Sequence, residues 1–573
     1  MSREADQDAD AQQDGDTLPT PPAPPHPDHE AKDETGADAQ RGEKGAAPAP
    51  SGLRSGEDRE ERAIFTATRE DGAPKAPRLA SEASQANRAP RQARGTSAKP
   101  TQRARQTQLP LFLALVLVVH LPVFLREVWN ADEAFVAVQA RALDGGAGGF
   151  YEIVADRKPP LLPALYLLVH QLAGNATVWV MHGLALAAHL ATALLLAAAA
   201  RGRWGGRAGL VAGLLYVVGS AGLSPEDAQA ANFEVFALPA VAAAVLLADR
   251  RRFAAAGGAA AVAALTLQAA GGVLLPVLWL AWRAAGRRGV LSAGGVFLAV
   301  VGAAAARVGW ADFWFWVVFG NGGYTNVSGA WDRVALRGLG GLGIFLLANL
   351  GAVLLAGADR ARRGRGDLWL WLVVAVAGVC TSLHFFGHYF LLLLPPVVLL
   401  AARAAATRPR LPLAPLGYGL TAAAVFVALA LVWPAGKDRH AELVAERVRA
   451  RTEPGAAILV WGMDPRIYWW SRRPAATRFL SAGFMTNFGG GRDASRVGER
   501  FAPEGVWRDF EADLRRRPPA LVVDDSRGAP YAPDRIGRFH RYLLAGYRPV
   551  EVVDGSVLYA RQPAAAGAAA RLR

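Results

Sequence analysis

Cysteine is almost absent from this chain, with one residue, Cys380, among 573. A single thiol excludes an intramolecular disulfide and a cysteine-based metal site. Residues 1–106 also have almost no aromatic residues or β-branched runs, and are rich in Ala, Pro, Gln, Asp, Glu and Arg. Such a segment buries too little apolar surface to offset the entropy lost on ordering, so we expect a disordered tail over 1–106. We expect residues 563–573 to be disordered as well.

The middle of the chain contains the long apolar runs that its ends lack. Hydrophobic residues make up 52% of the sequence. Since a helix needs about 20 residues to cross a ~30 Å hydrocarbon core, the pattern predicts a polytopic α-helical membrane protein with about eleven transmembrane helices in residues 107–433. The predicted helices are 108–126, 177–200, 208–223, 232–248, 253–268, 270–282, 289–308, 336–356, 367–384, 388–402 and 413–433.

The arginines predict the orientation of these helices. A net charge of +14 is compatible with nucleic-acid binding, but the basic residues are mostly short arginine clusters between apolar runs. Loops 201–207, 249–252, 283–288, 359–366 and 403–412 together hold sixteen arginines and alternate with loops that hold few. By the positive-inside rule these loops and the N-terminal tail are cytoplasmic, and the C-terminal domain is extracytoplasmic. We therefore expect membrane lipids, and no nucleic acid, as partners.

One apolar segment does not fit this alternation. Residues 159–174 (PPLLPALYLLVHQLAG) begin with two prolines and are short for a span, and counting them would invert every later loop. We interpret them as a helix lying in the outer interface. The first outer loop then runs over residues 127–176, and it is the longest and most polar loop between the predicted membrane segments.

Two motifs in this loop carry charge that packing does not explain. Asp132 and Glu133 are adjacent carboxylates just after the first helix, in the sequence WNADEAF. About twenty residues later comes YEIVADRKPP, which contains Asp156, Arg157 and Lys158. Basic residues are disfavoured on this side of a membrane, but a phosphate on an outer-leaflet lipid would need them. The loop therefore suggests a site for an anionic lipid headgroup beside carboxylates.

The order and spacing of these motifs resemble the GT-C superfamily of membrane glycosyltransferases. The similarity is strongest to a bacterial branch related to protein O-mannosyltransferases and lipid A aminoarabinose transferases, and it covers roughly residues 108–562. Asn232 and Glu234 fit an Asn-Glu pair in the second outer loop, which also holds Glu226 and Asp227, and Gly387-His388-Tyr389-Phe390 resembles an H-Y-F segment. An aromatic outer segment that includes Tyr324 fits too. The chain departs from many relatives at Leu265–Gln268, where they carry lysine.

This resemblance implies a sugar donor attached to a polyprenyl phosphate and an acceptor that is an envelope lipid, glycan or protein. Asp132 is then the general base and Glu133 its neighbour and substitute, while Lys158 and Arg157 bind the donor phosphate. The other implied substrate-binding residues are Asp156, Tyr151, Asn232, Glu234, Tyr324, His388 and Tyr389. No cofactor is certain, and a divalent metal ion stays an alternative. The composition, rich in Ala, Arg and Gly, is compatible with a GC-rich bacterium and hence with its inner membrane.

Residues 434–562 are polar again and predict a small extracytoplasmic α/β domain. Strand patterns at 456–461 and 520–525 alternate with helical patterns at 506–517 and 536–544, and 550–561 predicts a hairpin around Asp554-Gly555. Two other functions stay open. A transporter or flippase of lipid-linked sugars usually has polar residues near the bilayer midplane rather than in outer loops. A catalytically silent scaffold would not need the two charged motifs.

Overall fold

The computed structural model describes residues 102–321, 331–358, 366–489 and 496–562. The predicted disordered segments at 1–101 and 563–573 lie outside the described residues, and so does Tyr324. The first helix begins at Gln102, before the predicted tail boundary at 106.

The described chain is mostly helical. Fourteen α-helices of eight or more residues precede Gly436 in the described ranges. They are α1 (Gln102–His120), α2 (Ala131–Gly145), α3 (Leu161–Ala173), α4 (Thr177–Trp204), α5 (Gly206–Ser220), α6 (Phe233–Asp249), α7 (Phe253–Thr266), α8 (Leu274–Val308), α9 (Trp310–Val317), α10 (Trp331–Ala348), α11 (Leu350–Gly357), α12 (Gly366–Cys380), α13 (Leu394–Ala406) and α14 (Leu413–Leu431).

Five helical runs are long and apolar enough to cross a membrane, or six if α10 and α11, bent by 82°, form one span. They are Gln108–Leu125, Leu161–Trp204, Gln268–Val308, Gly387–Ala406 and Leu413–Arg451. Two of them are 44 and 41 residues long, about twice the length of one crossing. Each is broken at a left-handed glycine, Gly174 (φ 55°) or Gly286 (φ 56°). The chain is a multi-pass membrane protein, and the count of eleven crossings stays a prediction.

Partly buried ion pairs join the helix ends on the predicted cytoplasmic side. The Arg203 guanidinium contacts Asp249 at 2.6 Å and Asp367 at 2.7 Å. These residues lie on α4, at the end of α6 and at the start of α12. Because a buried charge is tolerated only when it is paired, the arrangement fixes the three helix ends relative to one another.

The predicted first outer loop is largely helical. It contains α2, a single turn at Phe150–Ile153 and α3, which occupies most of the predicted interfacial segment. Asn130 caps α2, because its side-chain oxygen accepts a hydrogen bond from the Glu133 N–H at 3.1 Å. Two prolines, Pro159 and Pro160, stand just before α3, and their rings restrict the backbone where the segment between α2 and α3 ends.

The C-terminal region, residues 434–562, contains a small mixed sheet. Its strands are β1 (Ile458–Trp461), β2 (Leu521–Asp524), β3 (Tyr547–Val553) and β4 (Ser556–Arg561), in the order β1-β2-β4-β3. β1 and β2 are parallel, and the other neighbours are antiparallel. Its main helices are α15 (Gly436–Arg451), α16 (Arg466–Ser471), α17 (Val506–Arg516) and α18 (Gly537–Gly546).

Two local features explain this sheet. β1 is buried along its length, and β2 is buried except at Asp524, as their apolar sequences predict. The turn between β3 and β4 has positive φ at both Asp554 (47°) and Gly555 (83°), which is the conformation that Asp-Gly favours in a tight hairpin. Trp461, at the end of β1, stacks on Phe539 of α18 with ring centroids 3.7 Å apart.

The C-terminal region packs directly on the first outer loop. The Glu127 carboxylate accepts hydrogen bonds from the indoles of Trp469 and Trp470 at 3.1 and 2.9 Å. Arg141 on α2 donates to the Tyr468 carbonyl at 2.6 Å, and the Ala155 N–H donates to the Arg478 carbonyl at 3.0 Å. The sheet domain is therefore attached to the loop that carries the two charged motifs.

Candidate active site

Asp132 lies in the first turn of α2 and faces a cavity. The turn is anchored on both sides: the Trp129 indole donates to the Val123 carbonyl at 2.9 Å, and the Asn130 amide donates to the Glu226 carbonyl at 3.1 Å. The Asp132 side chain is 48% exposed. It is therefore a solvated carboxylate held on a fixed backbone.

Glu133 occupies the opposite environment. Its side chain is fully buried and accepts three hydrogen bonds, from the Trp129 N–H at 2.8 Å, the Ala231 N–H at 2.8 Å and His182 Nε2 at 2.7 Å. Consecutive residues of a helix point about 100° apart, so α2 turns the two adjacent carboxylates to different surroundings. Glu133 does not line the cavity that Asp132 faces.

The second charged motif forms a short rigid segment beside Asp132. The Lys158 N–H donates to Asp156 Oδ1 at 3.1 Å, and the Tyr151 hydroxyl donates to the Lys158 carbonyl at 3.2 Å. Lys158 Nζ lies 4.9 Å from the ring centroid of Phe233 and 5.7 Å from that of Tyr389. These aromatic faces direct the ammonium group without neutralising it.

Arg157 is held from two other parts of the chain. Gln268, at the end of the segment where many relatives carry lysine, donates its amide N–H to the Arg157 carbonyl at 2.6 Å. The Arg157 guanidinium lies 4.8 Å from the ring centroid of Phe484, in the C-terminal region. Gln268 thus supports the backbone of the charged motif.

Asp156 is the most perturbed carboxylate of this group. Burial raises the pKa of Asp156 to about 7, although the charge and the backbone N–H of Lys158 act to lower it. Its side chain is only 5% exposed. Oδ2 has no hydrogen-bond partner among the described residues. Asp156 therefore offers an unsatisfied oxygen to whatever fills the cavity.

An aspartate–histidine pair lies on the other side of Asp132. His388 Nδ1 is 2.5 Å from Asp227 Oδ1, and His388 Nε2 is 3.8 Å from Asp132 Oδ2. Ser224 also donates to Asp227 at 2.5 Å. Burial alone would raise the pKa of Asp227, but its hydrogen bonds and the charge of His388 outweigh burial and hold the pKa below its ordinary value. Asp227 therefore fixes the histidine ring so that Nε2 faces Asp132.

Asn232 and Glu234 lie at the start of α6 and are both buried. Neither polar atom of the Asn232 amide has a hydrogen-bond partner in the described part of the chain, and the same holds for Glu234 Oε1. Buried polar atoms without partners are costly, so such atoms beside a cavity are suited to binding the hydroxyl groups of a ligand. Glu234 lines the cavity; Asn232 stands just behind it.

The cavity itself has a volume of about 740 Å³. One wall comes from the outer ends of the membrane helices, including Gln268, Val317 and Gly378. The facing wall comes from the C-terminal region and includes Met463, Arg466, Ser481, Phe484 and Phe488. Its size, together with its mixture of carboxylates, cations and aromatic rings, suits a polar ligand with an apolar extension.

The structure brings most of the predicted site residues together. Seven of them line the cavity: Asp132, Asp156, Arg157, Lys158, Glu234, His388 and Tyr389. Glu133, Tyr151 and Asn232 support it from behind, and Tyr324 lies outside the described residues. Within the described ranges, no group of three or more His, Cys, Asp or Glu side chains is arranged to hold a metal ion.

Sequence reasoning assigned no role to two kinds of residue in this site. Asp227 was visible as an acid in the second outer loop, but its pairing with His388, 161 positions away, has no signal in a single sequence. Phe484 and Phe488 look like ordinary core residues of a small domain. Only the packing of that domain on the first outer loop reveals that they line the cavity.

Comparisons with known proteins agree with this architecture. No family model matches the sequence, and no curated protein matches it. Among solved structures, ArnT from Cupriavidus metallidurans bound to undecaprenyl phosphate is similar at a TM-score of 0.55 and 17% identity, over 80% of this chain and 99% of ArnT. Its apo state gives the same score and identity over 98% of that chain. The apo oligosaccharyltransferase of Archaeoglobus fulgidus has a TM-score of 0.45 at 11% identity, over 81% and 75% of the two chains.

The match to ArnT is a match of fold. The chain has the fold of the GT-C superfamily of membrane glycosyltransferases, as the charged motifs of the first outer loop predicted. The similarity extends over nearly the whole length of ArnT.

Proposed function

We propose that this protein is a membrane glycosyltransferase that moves a sugar from a polyprenyl-phosphate-linked donor to an envelope acceptor on the extracytoplasmic face. One observation carries the proposal. An exposed carboxylate, Asp132, and the cations Lys158 and Arg157 line the same cavity. The fold similarity to a protein that binds undecaprenyl phosphate supports the donor class.

In this reaction Asp132 takes the proton of an acceptor hydroxyl as that oxygen attacks the anomeric carbon. The bond between the anomeric carbon and the phosphate oxygen breaks, and the lipid phosphate leaves with the bonding electrons. General base catalysis of this kind contributes roughly 10²–10⁴-fold. Lys158 and Arg157 stabilise the negative charge on the leaving phosphate.

The remaining residues of the site have supporting roles in this proposal. His388, held by Asp227, faces Asp132 and stabilises its negative charge. Glu234 and Asp156 have unsatisfied oxygens for sugar hydroxyls. Glu133 is assigned no proton transfer, because its carboxylate is buried away from the cavity and already accepts three hydrogen bonds.

The proposal includes a location and a layout. The protein lies in a bacterial inner membrane, with the N-terminal tail cytoplasmic and the C-terminal region extracytoplasmic. Residues 107–433 form the membrane domain, whose catalytic loop spans 127–176, and residues 434–562 form the outer domain that covers the cavity. Reporter fusions at each terminus test the orientation.

Mass spectrometry of envelope glycans and lipids tests the function. Four strains are compared: wild type, a deletion, and the deletion complemented with Asp132→Asn or with Asp144→Asn. Asp144 is an exposed acid at the end of α2 and outside the cavity, so it controls for the loss of one carboxylate from the same helix. We expect one glycan mass to vanish on deletion, to return with Asp144→Asn, and to stay below roughly 1% with Asp132→Asn at equal protein level.

Each alternative predicts a different result. Full restoration by Asp132→Asn would contradict the base assignment and favour the transporter or scaffold. A deletion that changes no glycan or lipid mass would contradict transfer altogether. The mass that is lost identifies the sugar, and the molecule that carries it identifies the acceptor.

A further inference from the structure

Glu133 stands where three separate segments of the candidate site meet. Its Oε1 accepts from His182 Nε2 on α4 and from the Ala231 N–H in the second outer loop, and its Oε2 accepts from the Trp129 N–H. His182 and Ala231 are 49 and 98 positions away in sequence. One carboxylate thus joins the start of α2, a membrane helix and the loop that leads into α6.

Two of these segments hold residues of the cavity. The start of α2 carries Asp132, and Ala231 lies three positions before Glu234. The Asn130 side chain reaches from the same helix start to the Glu226 carbonyl in the second loop. The distance between the base and the residues suited to sugar hydroxyls therefore depends on contacts that Glu133 organises.

Both oxygens of the Glu133 carboxylate act as acceptors in this bonding pattern. Trp129 and Ala231 present backbone N–H groups, which can only donate, and the His182 tautomer with a proton on Nε2 is the one that donates to the Glu133 carboxylate. His182 is completely buried, with its ring in edge contact with Phe124 and Trp179 at 6.1 and 5.7 Å. All three donor residues are buried, so each would lose its acceptor if the Glu133 side chain were removed.

We propose that Glu133 is a positioning residue: with His182 it fixes Asp132 relative to the second outer loop, and it never takes the acceptor proton. This inference rests on the proposed function, because it concerns the geometry of that reaction. It also gives the two adjacent carboxylates of the first motif different roles, one reactive and one supporting.

Three variants test the pair. Glu133→Gln keeps the size of the side chain, but its NH₂ group must face at least one N–H donor whichever way the amide is turned. His182→Leu removes the ring N–H, whereas His182→Gln keeps an N–H that can donate to Glu133. The matched control is His189→Gln. His189 is also buried on α4, two turns away, and bonds to the Tyr216 hydroxyl at 3.0 Å, outside the cavity lining.

Three quantities are measured for each full-length variant. They are the apparent Tm, the Kd for undecaprenyl phosphate as the probe of the phosphate site, and the initial rate at which the envelope glycan reappears after induction in a deletion strain. A misplacement of about 1 Å can cost roughly 100-fold in rate. We expect Glu133→Gln and His182→Leu to lose about that much in rate while Kd changes less than about threefold. The rate of His182→Gln should be at least about tenfold higher than that of His182→Leu.

The control separates positioning from general destabilisation. His189→Gln should lower Tm by a similar amount and leave the rate within about threefold of wild type. A wild-type rate in Glu133→Gln, or an equal rate loss in His189→Gln at equal Tm, would overturn the inference. Failure of the proposed function is seen separately, because then Asp132→Asn keeps the wild-type rate whatever the Glu133 variants do.

Discussion

Replacing Asp156 with asparagine removes a carboxyl group whose pKa the folded protein raises to about 7. The difference between the ordinary pKa of 3.8 and the raised pKa of about 7 means that ionising Asp156 costs roughly 4 kcal/mol more in the folded protein than in the unfolded chain. Between pH 4 and pH 7 the folded protein keeps a proton that the unfolded chain has lost. The free energy of unfolding therefore falls as pH rises through this window, and it stops falling above about pH 7.

The assay is the apparent Tm of the purified full-length protein from pH 4.5 to pH 8.5. We expect Asp156→Asn to match or fall slightly below wild type near pH 4.5, and to gain on it steadily until it is a few degrees more stable at pH 8.5. The groups that face Asp156 are Lys158, Asp132 and the Arg157 backbone, and all are unchanged in the variant. Asp144→Asn, at an exposed position, is the control and should show no such trend.

Two results would refute this reasoning. A difference in Tm that stays constant across the pH range would show that Asp156 does not titrate within it. An asparagine variant that becomes less stable than wild type as pH rises would show that the carboxylate is stabilised in its charged form, so that Lys158 outweighs burial.

Two further predictions concern the site and its frame. Lys158→Gln should weaken undecaprenyl phosphate binding by at least about tenfold, because a charge-assisted hydrogen bond is lost. The control is Lys437→Gln, at an exposed lysine on the same cavity, which should change Kd less than about threefold. Equal effects of the two substitutions would contradict the role of Lys158 in phosphate binding. Gly387→Ala should lower the Tm and the rate of sugar transfer, since its Cβ would lie 2.3 Å from the Asp227 carboxylate. Gly417→Ala, whose Cβ would have no neighbour within 4 Å, should lower neither. A wild-type Tm and rate in Gly387→Ala would show that the contact with Asp227 relaxes without cost.

The elements that the sequence predicted best are those with local causes. The Asp554-Gly555 hairpin needs two residues that tolerate positive φ, and the strand at Ile458–Trp461 needs an unbroken apolar run. The break near 283–288 was predicted from its arginines, and the structure places it at Gly286. In these cases a few neighbouring residues determine the geometry, so a single sequence is sufficient.

The features that escaped prediction depend on contacts between distant segments. Residues 336–356 look like one span, yet the chain bends by 82° between α10 and α11, next to Asn349. The different environments of Asp132 and Glu133 follow from what α4 and the second loop place beside them, not from the motif itself. The cavity wall around Phe484 appears only when the C-terminal region packs on the first loop. Periodicity and spacing carry no record of such contacts.

The attachment of the C-terminal region to the first outer loop also sets the order in which a new molecule is completed. Glu127 and its partners Trp469 and Trp470 are 342 and 343 positions apart. At 5–20 residues per second, a ribosome needs roughly 20 to 70 s to span that distance. During this time the first outer loop has its charged motifs but lacks the wall that contains Phe484. Without that wall the site is open to water. Because the wall is made last, the cavity exists only in a molecule whose C-terminal region has been synthesised.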